Sequence, residues 1–486
     1  MFSVQKLKFL LISIVCFGAS ASIVQADMIK ANEAIADGDF KDAKEYLLDS
    51  AVLGSAEAQF KLGLLFAQGQ SGVVDMTQAA SWLALAAEQN YSGASALVQE
   101  ILAGSSHEES VAILNSFTEL ESKYSAKALT QSLYPEKSSS GSVIGQNAKR
   151  LSDGNLSYDA IGHNINRSMG IEQANRRTGG LFSENARAAA INTQEAPSGK
   201  VIVVYDITEN GFTSDPDIVF SYPGTTFDRA VLDSAVLSKY LPAQDIEGKP
   251  IRQNGFTRSI IFGLQYSMQL DKQYPQTYDK FRLVRLRAKK GDPANEYAYS
   301  AMLRAYGNIL APKDEDDFMP YLQSAAKAGV YNAQYDLAMY ELYIERNVQE
   351  GLKWLKLAAS SGLTKAEYRM GKLLLNPPNG VLETSTDKAK FWFERAAKKH
   401  HVAAVEKYAS LVIDSEDKKK LKDLRSMFKE IKGEESRSAE SYYLNAQVEQ
   451  KVGSKRKAKS LLKKAISEAE KSGRSVKQWD DQLATL

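Results

Sequence analysis

Three alanine pairs recur along this chain in the same local setting, and they constrain its fold more than any other feature. Ala325-Ala326, Ala358-Ala359 and Ala396-Ala397 stand 33 and then 38 residues apart, and a Gly or His follows each three residues on. Trp354 and Trp392 precede their pairs by four residues, as Trp82 precedes Ala86-Ala87. Around that last pair, Ala58, Leu62, Leu65 and Phe66 recur at helical spacing, and Gly69 and Gly72 break the pattern. A second helical run then extends from Met76 to Gln89. Two short helices joined by a Gly-rich turn make an αα-hairpin, which cannot bury its apolar face alone and needs stacked neighbours. The alanines let paired helices approach closely and the aromatics fill the space between hairpins. Trp82, Ala86, Ala87, Trp354, Ala358, Ala359, Trp392, Ala396 and Ala397 are therefore the candidate repeat-packing residues.

The run Ala56-Glu57-Ala58-Gln59-Phe60-Lys61-Leu62-Gly63, followed by Gly72-Val73, Asp75, Ala79, Trp82 and Ala86-Ala87, resembles the Sel1-like repeats of the tetratricopeptide superfamily. Residues 291–405 resemble them in a more degenerate form. Residues 28–53 read as an incomplete N-terminal hairpin with Gly38-Asp39 at its turn. Repeats are thus expected over 27–135 and 280–410, with a charged helical cap over 411–486. The resemblance implies a solenoid that holds protein or peptide partners.

The first residues set the expected compartment. Lys6 and Lys8 precede an apolar run from Phe9 to Phe17, and Val24-Gln25-Ala26 suits cleavage before Asp27. Residues 1–26 are read as a signal peptide and the protein as periplasmic, with no stable membrane span after cleavage. An uncleaved anchor is the other reading. Cys16, the only cysteine, lies inside this segment without a lipobox, so the mature fold would have no disulfide. Loss of Lys6 and Lys8 from 61 basic residues leaves 59 against 59 acidic ones, which argues against a general nucleic-acid or anionic-membrane binder.

The middle of the chain has a different rhythm. Glu136 to Gly145 is a polar Ser/Gly stretch, and residues 136–195 are read as a linker or poorly defined connector. From Gly199 the pattern becomes strand, strand, helix and strand: Lys200–Ile207, Asp217–Ser221, Phe227–Tyr240 and Phe256–Leu264. Asn210-Gly211, the Phe227-Asp228-x-Ala230 helix start, Tyr240-Leu241-Pro242-Ala243, Gly248-Lys249-Pro250 and Phe262-Gly263-Leu264 make residues 196–266 similar to the C-terminal domain of TonB. Asn192 to Pro197 stand where that family usually has Tyr-Pro, and no Pro-rich stalk is present. The resemblance implies contact with envelope proteins such as TonB-dependent outer-membrane receptors or TonB-system components. Phe256, Arg258, Ile260, Phe262 and Leu264 are the candidate partner-binding residues, on a strand that is either ordinary or an edge open to an extended peptide. A fragment from Gln194 to Lys272 is expected to fold alone.

No chemistry-bearing constellation emerges. His107, His163, His400 and His401 lack metal-ligand spacing, and there is no Walker loop, G-x-G-x-x-G or G-x-S-x-G. Asp316-Asp317 and Glu434-Glu435 read as solvated loops, and Lys455-Arg456-Lys457 as a salt-bridged face near Glu468 and Glu470. The expectation is a multidomain α plus β protein with αα-hairpin solenoid segments flanking a small TonB C-terminal-like domain. It has no enzymatic activity, cofactor, metal, small-molecule substrate or nucleic-acid partner. Its function is that of a periplasmic adaptor in a TonB-type transport system, or alternatively an envelope-assembly scaffold.

Overall fold

The computed structural model describes residues 26–70, 72–138, 147–152, 199–262, 275–310, 317–378, 381–431, 438–471 and 476–485. The leader up to Gln25, most of the 136–195 connector, Leu264, Asp316 and Glu434-Glu435 lie outside the described residues.

In chain order the helices and strands are α1 (Asp27–Asp37), α2 (Phe40–Ala51), α3 (Ala56–Gln68), α4 (Met76–Glu88), α5 (Ala94–Ala103), α6 (His107–Tyr124), α7 (Ala126–Ser132), β1 (Lys149–Ser152), β2 (Gly199–Ile207) and β3 (Thr213–Tyr222). There follow α8 (Asp228–Leu237), β4 (Lys239–Leu241), β5 (Ala243–Gln244), β6 (Pro250–Ile251) and β7 (Gln253–Phe262). The chain then runs through α9 (Pro275–Ala288), α10 (Pro293–Leu310), α11 (Phe318–Lys327), α12 (Tyr331–Tyr340), a π-helical turn (Glu341–Glu345), α13 (Val348–Ser360), α14 (Thr364–Leu375) and α15 (Thr386–Lys398). It ends with α16 (Val402–Val412), α17 (Lys418–Glu430), α18 (Ala439–Val452), α19 (Lys455–Lys471) and α20 (Lys477–Thr485).

The chain divides into two compact units. One contains residues 1–137, 356–375 and 382–486; the other contains 138–355 and 376–381. The boundary falls inside α13.

In the first unit, capping chemistry fixes the hairpin ends. Asp39, Ser55 and Asp75 accept hydrogen bonds from the backbone N–H three residues on, and Ser106 and Glu109 form a capping box. Gly38 and Gly69 end α1 and α3 in the left-handed region. Residues 27–51 form a full two-helix hairpin, with Gly38-Asp39 at its turn. Hairpins from the two ends of the sequence belong to this one unit. Trp392 Nε1 on α15 donates to the Leu133 carbonyl at 2.8 Å, and its ring packs on Tyr134 with centroids 5.5 Å apart. Lys388 Nζ reaches Glu136 at 2.6 Å and the Tyr134 carbonyl at 3.0 Å. The first repeats therefore stack on later ones, which a reading of separate flanking arrays had not anticipated.

The second unit holds the sheet. Its three antiparallel strands lie in the order β3-β2-β7. Val201, Val203, Tyr205 and Ile207 of β2 share a core with Phe227, Val231 and Ala235 on the α8 side. Tyr205 and Tyr240 are joined through their hydroxyls within it. The alternate residues Ile202 and Val204 are buried too. Their face receives α10: Lys200 Nζ donates to the Arg304 carbonyl at 3.0 Å, and the Arg304 guanidinium lies 4.2 Å from the centre of the Phe220 ring. A strand buried on both faces reads as a near-continuous apolar run, as Val201 to Tyr205 does.

One helix ends earlier than the sequence pattern indicates. α8 stops at Leu237, and Lys239–Leu241 forms β4, paired with β1. Pro242 biases Leu241 toward extended backbone, and Tyr240 is buried in the sheet core.

Candidate protein-binding surfaces

The repeat register brings one polar position into each hairpin core. Aligning Ala58-Gln59-Phe60, Ala333-Gln334-Tyr335 and Ala366-Glu367-Tyr368 places Gln59, Gln334 and Glu367 in equivalent sites, and all three are buried. Gln59 Nε2 donates to the Ala51 carbonyl at 3.1 Å, and Gln334 Nε2 donates to the Ala326 carbonyl at 3.2 Å. Each amide thus satisfies a carbonyl at or near the end of the preceding helix, eight residues back. Glu367 cannot donate, and its site is solved with charge. Its Oε1 accepts from Arg395 Nε at 3.0 Å and from Lys399 Nζ at 2.9 Å. Lys399 Nζ also reaches Asp27 Oδ2 at 2.7 Å and the Gly362 carbonyl at 2.8 Å. Two acids and two bases balance one another, as burial of charge requires. This network was missed at the level of sequence; the equivalence of Gln59, Gln334 and Glu367 was its signal.

The repeat-packing candidates lie as follows. Ala86, Ala358, Ala359, Trp392, Ala396 and Ala397 are fully buried, and Trp82 is nearly so. Trp82 stacks on Tyr124 of α6 at 5.9 Å. Ala87 and Trp354 are partly buried; Ala87 packs against the cluster of its own hairpin, and Trp354 of α13 packs against the cluster formed by α11 and α12. Two glycines have the same role: a methyl at Gly63 would meet Leu83 at 2.7 Å, and one at Gly371 would meet Phe393 at 2.7 Å.

β7 lies at one edge of the sheet. Its side chains are disposed otherwise than the partner-binding reading requires. Phe256 and Ile260 pack on the α8-side core, and Phe262 is part of it, stacked on Phe227 at 4.3 Å. Arg258 is half-buried, while Ser259 and Ile261 of the opposite parity are exposed. The period of two puts the bulky even-numbered residues on the core face. They hold the strand in place, and an incoming peptide would meet the backbone edge, Ser259 and Ile261. The start of β7 is occupied within its own unit: Asn254 Nδ2 donates to the Pro377 carbonyl at 3.1 Å, and Gly255 N donates to Asp206 Oδ1 at 3.0 Å.

Among the described residues, no group of three or more His, Cys, Asp and Glu is placed to hold a metal ion, and no helix is long and apolar enough to cross a membrane. His401 is an N-cap: its Nδ1 accepts from Ala404 N at 3.2 Å and its ring stacks on Tyr368. His400 Nδ1 lies 3.3 Å from Glu430.

The Sel1 repeat family model matches residues 56–91, 332–363 and 364–401. The chain carries Sel1 repeats, which suggest a protein-binding helical-repeat protein. No curated protein matches it significantly. Among solved structures, it is similar to a protective antigen with an SLR fold present in uropathogenic Escherichia coli strains: 14% identity, TM-score 0.33, with 91% of this chain and 79% of that chain covered. It is also similar to a Sel1 repeat protein from Oxalobacter formigenes, at 23% identity and TM-score 0.29, with 37% of this chain and 74% of that one covered.

Proposed function

We propose that this chain is a non-catalytic adaptor of a bacterial envelope that binds other proteins through its Sel1 repeats. The observation that carries this reading is the triple match to the Sel1 repeat model, set in hairpins whose cores are complete. The leader-like residues 1–26 support export to the periplasm. The finer reading places the adaptor in a TonB-type outer-membrane transport system. It is supported by the TonB-like residues within 196–266 and by an edge strand, β7, to which an extended receptor segment could add.

A second reading has its own observation. Because α10 packs on the far face of the sheet, the strand module is built into a helical unit, as suits an envelope-assembly scaffold. Photo-crosslinking in intact cells separates the two. A crosslinker at Ile261 should capture an extended N-terminal segment of an outer-membrane receptor if β7 accepts peptides. Adducts from the exposed Leu114 of α6 but none from Ile261 would leave the scaffold reading in place. Silence at both positions would defeat the adaptor altogether.

A further inference from the structure

α19 buries one face and leaves the other with unmatched charge. Leu461, Leu462, Ala465 and Ile466 pack with Tyr442 and Ala446 of α18, and Ala458 is fully buried. The opposite face presents Lys455, Arg456, Lys459 and Lys463, all exposed, which with Ser460 line a shallow groove of 420 Å³. Glu468 and Glu470, the acids expected beside this run, do not line the groove. Lys457 alone of the Lys455-Arg456-Lys457 run turns to Glu449, at 2.6 Å. The four groove cations, Lys455, Arg456, Lys459 and Lys463, have no ion pair or hydrogen bond among the described residues. From residue 450 to 467 the chain has seven basic residues and no acidic one, a local excess hidden by the balanced charge of the whole.

We propose that this face of α19 docks the protein onto anionic phospholipid headgroups. Lys455, Lys459 and Lys463 rise along the helix in steps of about 6 Å, a row of point charges. Lysine binds phosphate as a point charge, whereas planar carboxylate recognition favours arginine, of which the groove has one. No large apolar side chain is exposed on α19. Protein interfaces centre on desolvated aromatic or aliphatic anchors, and this groove has none. A cluster of four cations on an amphipathic helix instead matches the negative potential of an anionic leaflet. The contact is electrostatic and superficial, with the apolar face of α19 kept inside the protein.

The test is sedimentation of the full chain with vesicles of phosphatidylglycerol or of phosphatidylcholine, for the natural protein and for K455Q/R456Q/K459Q/K463Q. The leader, with its apolar run and the basic Lys6 and Lys8, is common to both proteins, so the difference between them reads the α19 face alone. Glutamine is a good helix former and the four side chains have no partner to lose, so the variant should melt with the natural protein. The natural protein should prefer phosphatidylglycerol, and each removed charge should weaken that binding about five-fold, at least about a hundred-fold for the four. Salt that shortens the Debye length to about 3 Å should release it, a check that needs no variant. Equal binding to both lipids, or undiminished binding by the variant, overturns the proposal. Tight uptake of inorganic phosphate at a single site overturns the lipid assignment in favour of free phosphate. Binding of polyglutamate at least as tight as to phosphatidylglycerol overturns it in favour of an acidic protein.

Discussion

The α3–α4 hairpin and strand β2 bury apolar residues by different routes. In the hairpin, neighbours in sequence are neighbours in space: Gly63 lies against Leu83, and Gln59 satisfies a carbonyl eight residues back. In β2, Val203 faces α8 and Val204 faces the α10 side, whose Arg304 is about a hundred residues away. A local core announces itself as a period. A two-sided strand announces only that it is buried, and leaves its second partner unnamed.

The contrast is sharpest where the hairpins themselves become non-local. Trp392 is fully buried and joins α15 to Leu133 and Tyr134 at the end of the N-terminal repeats. Trp392→Ala should cost about 3–5 kcal/mol, by loss of packing and of the hydrogen bond to the Leu133 carbonyl. Tyr134→Phe keeps the ring contact but strips the Leu53 carbonyl of the hydroxyl that donates to it at 2.6 Å, and should cost less, about 1–3 kcal/mol. Thermal unfolding of both decides the matter; a loss near 1 kcal/mol for Trp392→Ala would mean that the early and late repeats fold independently.

For the sheet, Ile202→Ala tests the α10 face alone, since this side chain lies opposite in parity to the core shared with α8. About 2–5 kcal/mol should be lost. The same face alters the expectation for an isolated fragment. A piece ending at Lys272 would expose Ile202, Val204 and Phe220 and should aggregate, whereas one extended through residue 345 keeps α10 and α12 and should remain monomeric. Monomeric, cooperatively unfolding behaviour of the short fragment, read by ultracentrifugation and calorimetry, would show that the α10 face is dispensable.

Much of this was legible in the sequence. The alanine pairs, their tryptophans and the Gly turns marked the hairpins, because helix packing imposes its period on small and large residues alike. The strand, strand, helix, strand order was also visible, through Asn210-Gly211 and alternation. The start of β4 at Lys239 was not, because Val236 to Tyr240 suits helix and strand equally until Tyr240 finds the sheet core. The charged solution at Glu367 was invisible for another reason. Its partners Asp27, Arg395 and Lys399 each look like ordinary surface charges until stacking brings them together. The even-numbered side chains of β7 were assigned to a partner because the pattern alone does not say which side of a strand has the core.

Within the repeats, Ala359 tests how tight the helix contact is. It is fully buried, and Ala359→Leu should overpack the joint at a cost of about 1–3 kcal/mol. An unchanged melting midpoint would mean that the helices can part without loss, and that the alanine period marks composition rather than close approach.

The smallest expected effect separates the two units by the sign of their response to pH. In the repeat unit, burial alone would raise the Glu449 carboxyl, but hydrogen bonds from Arg425 and Lys457 outweigh it and hold the group down at about 2, below its ordinary 4.5. Its contribution is present above pH 4.5 and is lost as pH falls toward 2. Asp228, at the start of α8, behaves oppositely. The helix N-terminus favours its charge, yet burial, reinforced by nearby Asp217, pushes the carboxyl from 3.8 up to about 6 despite a bond to Ser221. A raised folded-state value means that the native protein holds the proton more firmly than the unfolded chain. The contribution of Asp228 is therefore fully present below pH 3.8 and is lost as pH rises through 6. Asp228→Asn removes that titration, so the variant should unfold at slightly higher urea than the natural protein above pH 6, with the gap closing as pH falls to 3.8. Glu449→Gln should unfold at lower urea above pH 4.5, with its gap closing toward pH 2. Parallel pH series of urea midpoints read both gaps. A gap for Asp228→Asn that stays constant across pH would show that its carboxyl is solvated in the folded protein, and the two units would then not differ in how they carry charge.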